Sequence, residues 1–223
     1  GSEMCIRDSS HIMAETDLLE LSLKNMIGSV ESYFDQEINS LKAQIFDIEH
    51  DKSLSEERYS LCKPYYDQLE ESETQRFHAR NKLVTCIYSI CEASLAGICK
   101  QYKIPLKFSP QNRSKKDHYL TDYLFSIGVD YTNAVNSNSS YVVYNAIKEL
   151  RNTLTHCGED NQKASNAVKL MKKVGFAGIE NYNGVIRIET KNVLEEILNH
   201  CKKMLIDSEN TAINLSKQLT KSL

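Results

Sequence analysis

From Asp17 to about Asp51, apolar side chains fall at Leu19, Leu23, Met26, Val30, Phe34, Ile38, Leu41, Ile45 and Ile48, in steps of four and three that gather them on one side of a helix. The chain has only 8 Gly and 3 Pro in 223 residues, so a stripe this long points to a fold of long packed helices and against a β-rich one. The consecutive fours at Val30, Phe34 and Ile38 are a stutter, which locally unwinds a coiled-coil seam and suits packing into a bundle. Two outcomes fit the stripe: a helix folded back on its own domain, or an extended oligomerisation or partner helix.

Residues 1–12, GSEMCIRDSSHI, have the look of an expression scar, and the native chain is expected to begin at Met13. After the first helix, Ser53 with Glu56 three residues on reads as a capping box that restarts helix, and Pro64 should break or kink it. From Phe77 to Tyr102 a long helix is expected, with Phe77, Val84, Ile87, Cys91, Leu95 and Ile98 as its buried stripe and Glu92 interrupting it. Ile104-Pro105 ends that helix. Lys107, Arg113, Lys115 and Lys116 make the next loop the most basic stretch of the chain, either a solvated charged loop or a contact for an RNA backbone. Ser114 is placed to cap a short helix that Gly128 stops, with His118 near its start.

The polar loop Asn133 to Ser140 leads into a helix with Tyr141, Tyr144, Ile147, Leu150 and Leu154 as its buried stripe. Gln162 to Val174 reads as another helix, with Ala164, Ala167, Val168 and Met171 inward. The one β signal follows: Ile179 to Ile188 alternates around Asn183-Gly184, a strong short-range hairpin cue. Thr190 is placed to cap a last long helix, with Val193, Leu194, Ile197, Cys201, Met204 and Leu205 inward and fraying expected beyond Asn210. The fold class is therefore all-α with one small β-hairpin.

A net charge of −3 and a pI near 6.1 disfavour holding nucleic acid by bulk electrostatics, so any RNA contact must be local. The 7 cysteines are odd in number, form no C-x-x-C pair and follow no secretory segment, which favours a reduced, cytoplasmic setting. No apolar run approaches the roughly 18 residues of a membrane span.

The chemistry concentrates in Lys148 to Gly158. Arg151 is a permanent cation whose fork fits phosphate oxygens, and His156 can take and give a proton near neutral pH. Asn152 and His156, four apart, share a helix face, whereas Arg151 and His156 lie about 140° apart around an ideal helix. They converge only if the helix unwinds near Gly158 or if two copies face each other across a dimer axis. There is no H-E-x-x-H, no Cys/His quartet and no phosphate-cradling glycine loop, so no metal or cofactor is expected.

Arg151-Asn152-Thr153-Leu154-Thr155-His156, followed by Gly158, resembles the R-x4-6-H motif of the HEPN superfamily (higher eukaryotes and prokaryotes nucleotide-binding domain), including the polar residue that often follows the arginine. The order of elements, a long helix, a shorter one, the motif helix, a hairpin and a closing helix, is similar to the family's bundle over residues 72–206. The resemblance implies a HEPN-like domain there, a helical extension over 13–71 and a C-terminal helix end or tail over 207–223. It also implies a metal-independent endoribonuclease, a toxin or defence effector that forms its site from two motifs across a homodimer. His156 would be general acid or base, Arg151 would stabilise the phosphorane, and Asn152 would bind phosphate or orient His156. An acidic residue near the motif in several HEPN families gives Glu92 as a group orienting Arg151 or His156. Arg113, Lys115 and Lys116 are the candidate RNA contacts, and a regulatory or antitoxin protein is a candidate partner. Relatives silenced by adenylylation carry a tyrosine two residues after the motif histidine, where this chain has Gly158. The competing reading is a non-catalytic helical dimerisation or interaction module of a larger assembly, and a third is nucleotide binding without cleavage.

Overall fold

A computed structural model describes residues 3–54, 57–101, 140–156 and 160–221. The described chain is predominantly helical: α1 (Glu3–His50), α2 (Arg58–Gln101), α3 (Ser140–His156), α4 (Asn161–Lys173), β1 (Ile179–Tyr182), β2 (Val185–Ile188) and α5 (Lys191–Lys221). The basic loop with Arg113, Lys115 and Lys116, and the short helix expected after Ser114, lie outside the described residues. So do Cys157 and Gly158. No helix of the described residues is long and apolar enough to cross a membrane.

The α1 stripe folds back on α2. Cys62 Sγ lies 4.0 Å from the Ile45 carbonyl, the Tyr66 hydroxyl donates to Glu49 at 2.7 Å, and Arg76 and Arg80 reach Glu31. The end of α1 meets the start of α2, and Glu31, further back on α1, meets Arg76 and Arg80 further along α2, which defines an antiparallel helical hairpin. Leu23, Ile27, Phe34, Ile38, Leu41 and Ile45 are buried along it, whereas Met26 is exposed and Ile27 takes the inward place expected of it. The backbone of α1 is helical from Glu3, well before Asp17, and continues through the segment read as a scar.

Two local expectations at the start of α2 are corrected. Ser53 does not cap a helix; its amide and hydroxyl donate to Asp51 Oδ1 at 2.8 and 2.6 Å in the turn that closes α1. Pro64 does not break the chain's path, since α2 is one helix from Arg58 to Gln101 with Pro64 inside it. Burial of Cys62 against α1 holds the helix across a proline that removes one backbone bond. The boundary expected at residue 71 thus falls within a continuous helix, beside the buried Ser72.

A charged cluster locks α1, α2 and the hairpin together. Glu31, 4% exposed, accepts from Arg80 Nε and Nη2, each at 2.7 Å, and from Arg76 Nε at 3.0 Å and Nη2. Arg80 Nη1 also donates to the carbonyls of Ile188 and Glu189, at 2.9 and 2.6 Å. Burial alone would raise the Glu31 carboxyl, but the bonds from Arg80 and Arg76 outweigh it and hold the group below the usual carboxylate range.

The hairpin forms as the alternation implies. Asn183 (φ 52°) and Gly184 (φ 95°) make the two-residue turn, and Ile179 pairs with Ile188. Ile179, Ile186 and Ile188 enter the core, and Asn81 Nδ2 donates to the Ile186 carbonyl at 2.8 Å. Arg187 lies over the rings of Phe77 (5.0 Å) and Tyr182 (4.5 Å), so Phe77 is half-buried beneath a cation instead of belonging to the core stripe.

α4 begins at Asp160, whose side chain accepts from the Lys163 amide, and buries Ala164, Ala167, Val168 and Met171 as expected. It ends in a Schellman motif: Gly175, at φ 102°, donates to Lys172 and Phe176 donates to Met171, with the Phe176 ring buried. On α5 the six inward positions read from the sequence are all buried. The helix continues to Lys221, past Asn210, and Ala212 belongs to the main core.

Candidate functional site

The motif helix α3 packs its Val143, Tyr144, Ala146, Ile147 and Leu150 into the core. That burial fixes the roll of the helix and turns Arg151, which follows the fully buried Leu150, toward α2. The guanidinium carbon lies 5.3 Å from the centre of the Tyr88 ring, and Nη2 is 4.0 Å from Glu92 Oε2. Nη1 donates to Asn152 Oδ1 at 3.0 Å. A glutamate expected from the sequence to orient the motif is therefore beside its arginine, in a loose and partly solvated ion pair.

Arg151 is held in place by these contacts without being saturated among the described residues. Its side chain is 24% exposed, Nη1 makes its one hydrogen bond among the described residues, and Nε is buried without a partner there. A guanidinium has five donors, and among the described residues this fork spends one of them on a hydrogen bond. Thr155 Oγ1 donates to the Arg151 carbonyl at 2.8 Å, which occupies a backbone acceptor near the C-terminal end of α3.

Tyr88 was not among the residues singled out from the sequence. It is 1% exposed and stacks on Tyr144, with ring centroids 5.3 Å apart and planes at 27°. Burial pushes both phenols far above their ordinary range, so both stay protonated near neutral pH. Their contribution is a rigid aromatic floor under Arg151, not proton transfer. A tyrosine four residues before Glu92 was the available signal, because that spacing puts both on one face of α2.

Asn152 accepts the Arg151 bond and also lines a groove of about 530 Å³ between α3 and α4, with Glu149, Thr153, Lys163, Asn166 and Leu170. Lys163, Asn166 and Leu170 recur at three and four residues, the spacing of one helix face. Amides, a hydroxyl, Lys163 and the Glu149 carboxylate make the groove polar and suited to hydrogen bonding, with one charge of each sign in its lining. His156 is the last residue of α3 and is exposed. α3 stays helical to His156, so within one chain the helix does not unwind before the histidine to bring it round to the Arg151 side.

Glu92, Arg151 and Asn152 are thus brought together, His156 stands at the open end of the same helix, and Arg113, Lys115 and Lys116 lie outside the described residues. Among the described residues, no three His, Cys, Asp or Glu side chains gather as metal ligands would. Comparison with protein-family models, with curated proteins and with solved structures finds no match.

Proposed function

We propose that the chain is a cytoplasmic, metal-independent endoribonuclease of the HEPN type, a toxin or defence effector, working as a homodimer. The state of Arg151 carries this assignment. A cation set on an aromatic floor, steadied by Glu92 and Asn152 and spending one hydrogen bond among the described residues, suits the charge that grows on a pentacoordinate phosphate. The helical bundle and the hairpin that precedes the closing helix support the same reading.

In this mechanism His156 takes the proton of the ribose 2′-hydroxyl, whose oxygen bonds to phosphorus as the bond from phosphorus to the 5′-oxygen breaks. The leaving oxygen takes a proton, from His156 of the second copy or from water. The products are a 2′,3′-cyclic phosphate and a 5′-hydroxyl. Two copies are required because Arg151 and His156 of one α3 point about 140° apart, whereas α3 helices paired across a two-fold axis bring the arginine of one to the histidine of the other. Arg113, Lys115 and Lys116 supply backbone contacts to the RNA.

The test incubates the purified protein with an RNA and a DNA of the same sequence in EDTA, beside His156→Ala and Arg151→Ala. Cleavage of the RNA alone, with cyclic-phosphate ends and lost in both variants, is the expected result. Cleavage that survives His156→Ala, needs a divalent ion or extends to DNA refutes the mechanism. A second reading, a non-catalytic dimerisation module, is favoured by one observation: the contacts of Arg151 with Tyr88 and Glu92 tie α3 to α2, a packing role that needs no substrate. Absence of cleavage from a well-folded dimer would select it.

A further inference from the structure

The arm made by the C-terminal half of α1 and the first turns of α2 carries surface that the motif chemistry does not use. Phe46, Tyr59 and Tyr66 are 57%, 77% and 42% exposed there. They occupy one face. Tyr59 and Tyr66 are two turns apart on α2, and Tyr66 donates to Glu49 across the helix pair at 2.7 Å. Phe46 precedes Glu49 by three residues and so stands on the same side of α1, where His50 stacks on its ring at 3.9 Å. Single exposed apolar residues are ordinary, but several aromatics sharing a face are the composition of an interface core.

The charge around these rings selects the occupant. Residues 32–75 contain eleven Asp and Glu against four Lys and Arg, a net of −7, while the rest of the chain has nineteen against twenty-three, a net of +4. Glu70 and Glu73 follow Tyr66 by four and seven residues on its face, and both are exposed. Lys63 shares that face and leaves its surroundings acidic. Such a surface repels RNA and anionic membranes and draws in cations, and aromatic faces bind guanidinium and ammonium groups.

We propose that the Phe46, Tyr59 and Tyr66 face of the arm docks an arginine- or lysine-rich segment of a partner protein, with the rings seating its apolar or cationic side chains and Glu49, Glu70 and Glu73 meeting the flanking charges. The face is built on α1 and the start of α2, the candidate site on α3 and the later part of α2 that carries Tyr88 and Glu92, so partner binding and RNA binding use separate surfaces. The proposal is independent of the nuclease assignment and survives its failure.

The probe is a labelled peptide alternating arginine and leucine, titrated against the full chain by fluorescence anisotropy, beside an acidic peptide of equal length and a labelled RNA. The variant carries Phe46→Ser, Tyr59→Ser and Tyr66→Ser, and a second, Glu70→Lys with Glu73→Lys, keeps the rings. Binding of the basic peptide, weakened about tenfold or more by either variant and by added salt, is expected. Because all five positions are exposed, circular dichroism should show unchanged helix in both. No binding, or binding indifferent to both variants, overturns the proposal. So does equal binding of the RNA to the arm, and so does a concentration-dependent dimer in sedimentation that the serine variant abolishes, which would assign the face to a second copy.

Discussion

Glu31→Gln isolates what the buried charge cluster contributes. The substitution keeps the shape of a side chain that is 4% exposed but removes its charge, leaving Arg80, also 4% exposed, without a counter-ion. Breaking a buried pair from one side costs about 3–5 kcal/mol. The lower end applies here, because Arg76 is one-fifth exposed and retains Asp35 at 2.7 Å, and Arg80 retains the Ile188 and Glu189 carbonyls. About 3 kcal/mol is therefore expected, read from urea unfolding followed by helical circular dichroism at neutral pH. Glu31→Leu combined with Arg80→Met removes both charges and should recover most of that loss. The pH dependence has a definite sign. The folded carboxyl is held below its unfolded value of about 4.3, so the unfolded chain binds more protons and stability rises with pH through that region. The contribution is complete above the unfolded value, disappears as pH falls through the folded one, and should be missing from the acid limb of Glu31→Gln. A loss under about 1 kcal/mol, or an acid limb the same as wild type, would refute the reasoning.

Pro64→Ala should stabilise the chain by roughly 1–3 kcal/mol, seen as a higher urea midpoint, because an exposed position inside α2 regains a backbone bond and loses a steric clash. Tyr88→Phe should leave RNA cleavage near wild type, since the ring under Arg151 remains, whereas Tyr88→Leu should slow single-turnover cleavage by about tenfold. Equal rates in the two would remove Tyr88 as the floor of the site, and urea unfolding of both separates lost packing from lost positioning.

Elements whose signals are local were legible from the chain alone. The Asn183-Gly184 turn, the inward sides of α4 and α5 and the end of α1 near Asp51 rest on side-chain periodicity and on a turn that needs positive φ, which neighbours in sequence supply. Arg151, Asn152 and His156 could be nominated as well, because their chemistry is carried by residue type and spacing, and Glu92 was nominated through the family resemblance. Which partners those residues meet was decided by packing between distant segments. Pro64 reads as a break, yet Cys62 is buried against α1 and the helix runs through it; Met26 fits the periodic stripe, yet Ile27 takes its place because α2 lies on that side. Arg151 reads as a phosphate ligand, and only the burial of Leu150 and Tyr144 turns it onto Tyr88 and Glu92, more than fifty residues away in the chain. Periodicity states that a helix has an inner side; the roll and neighbours of that side follow from the joint burial of all the helices, which no local window contains.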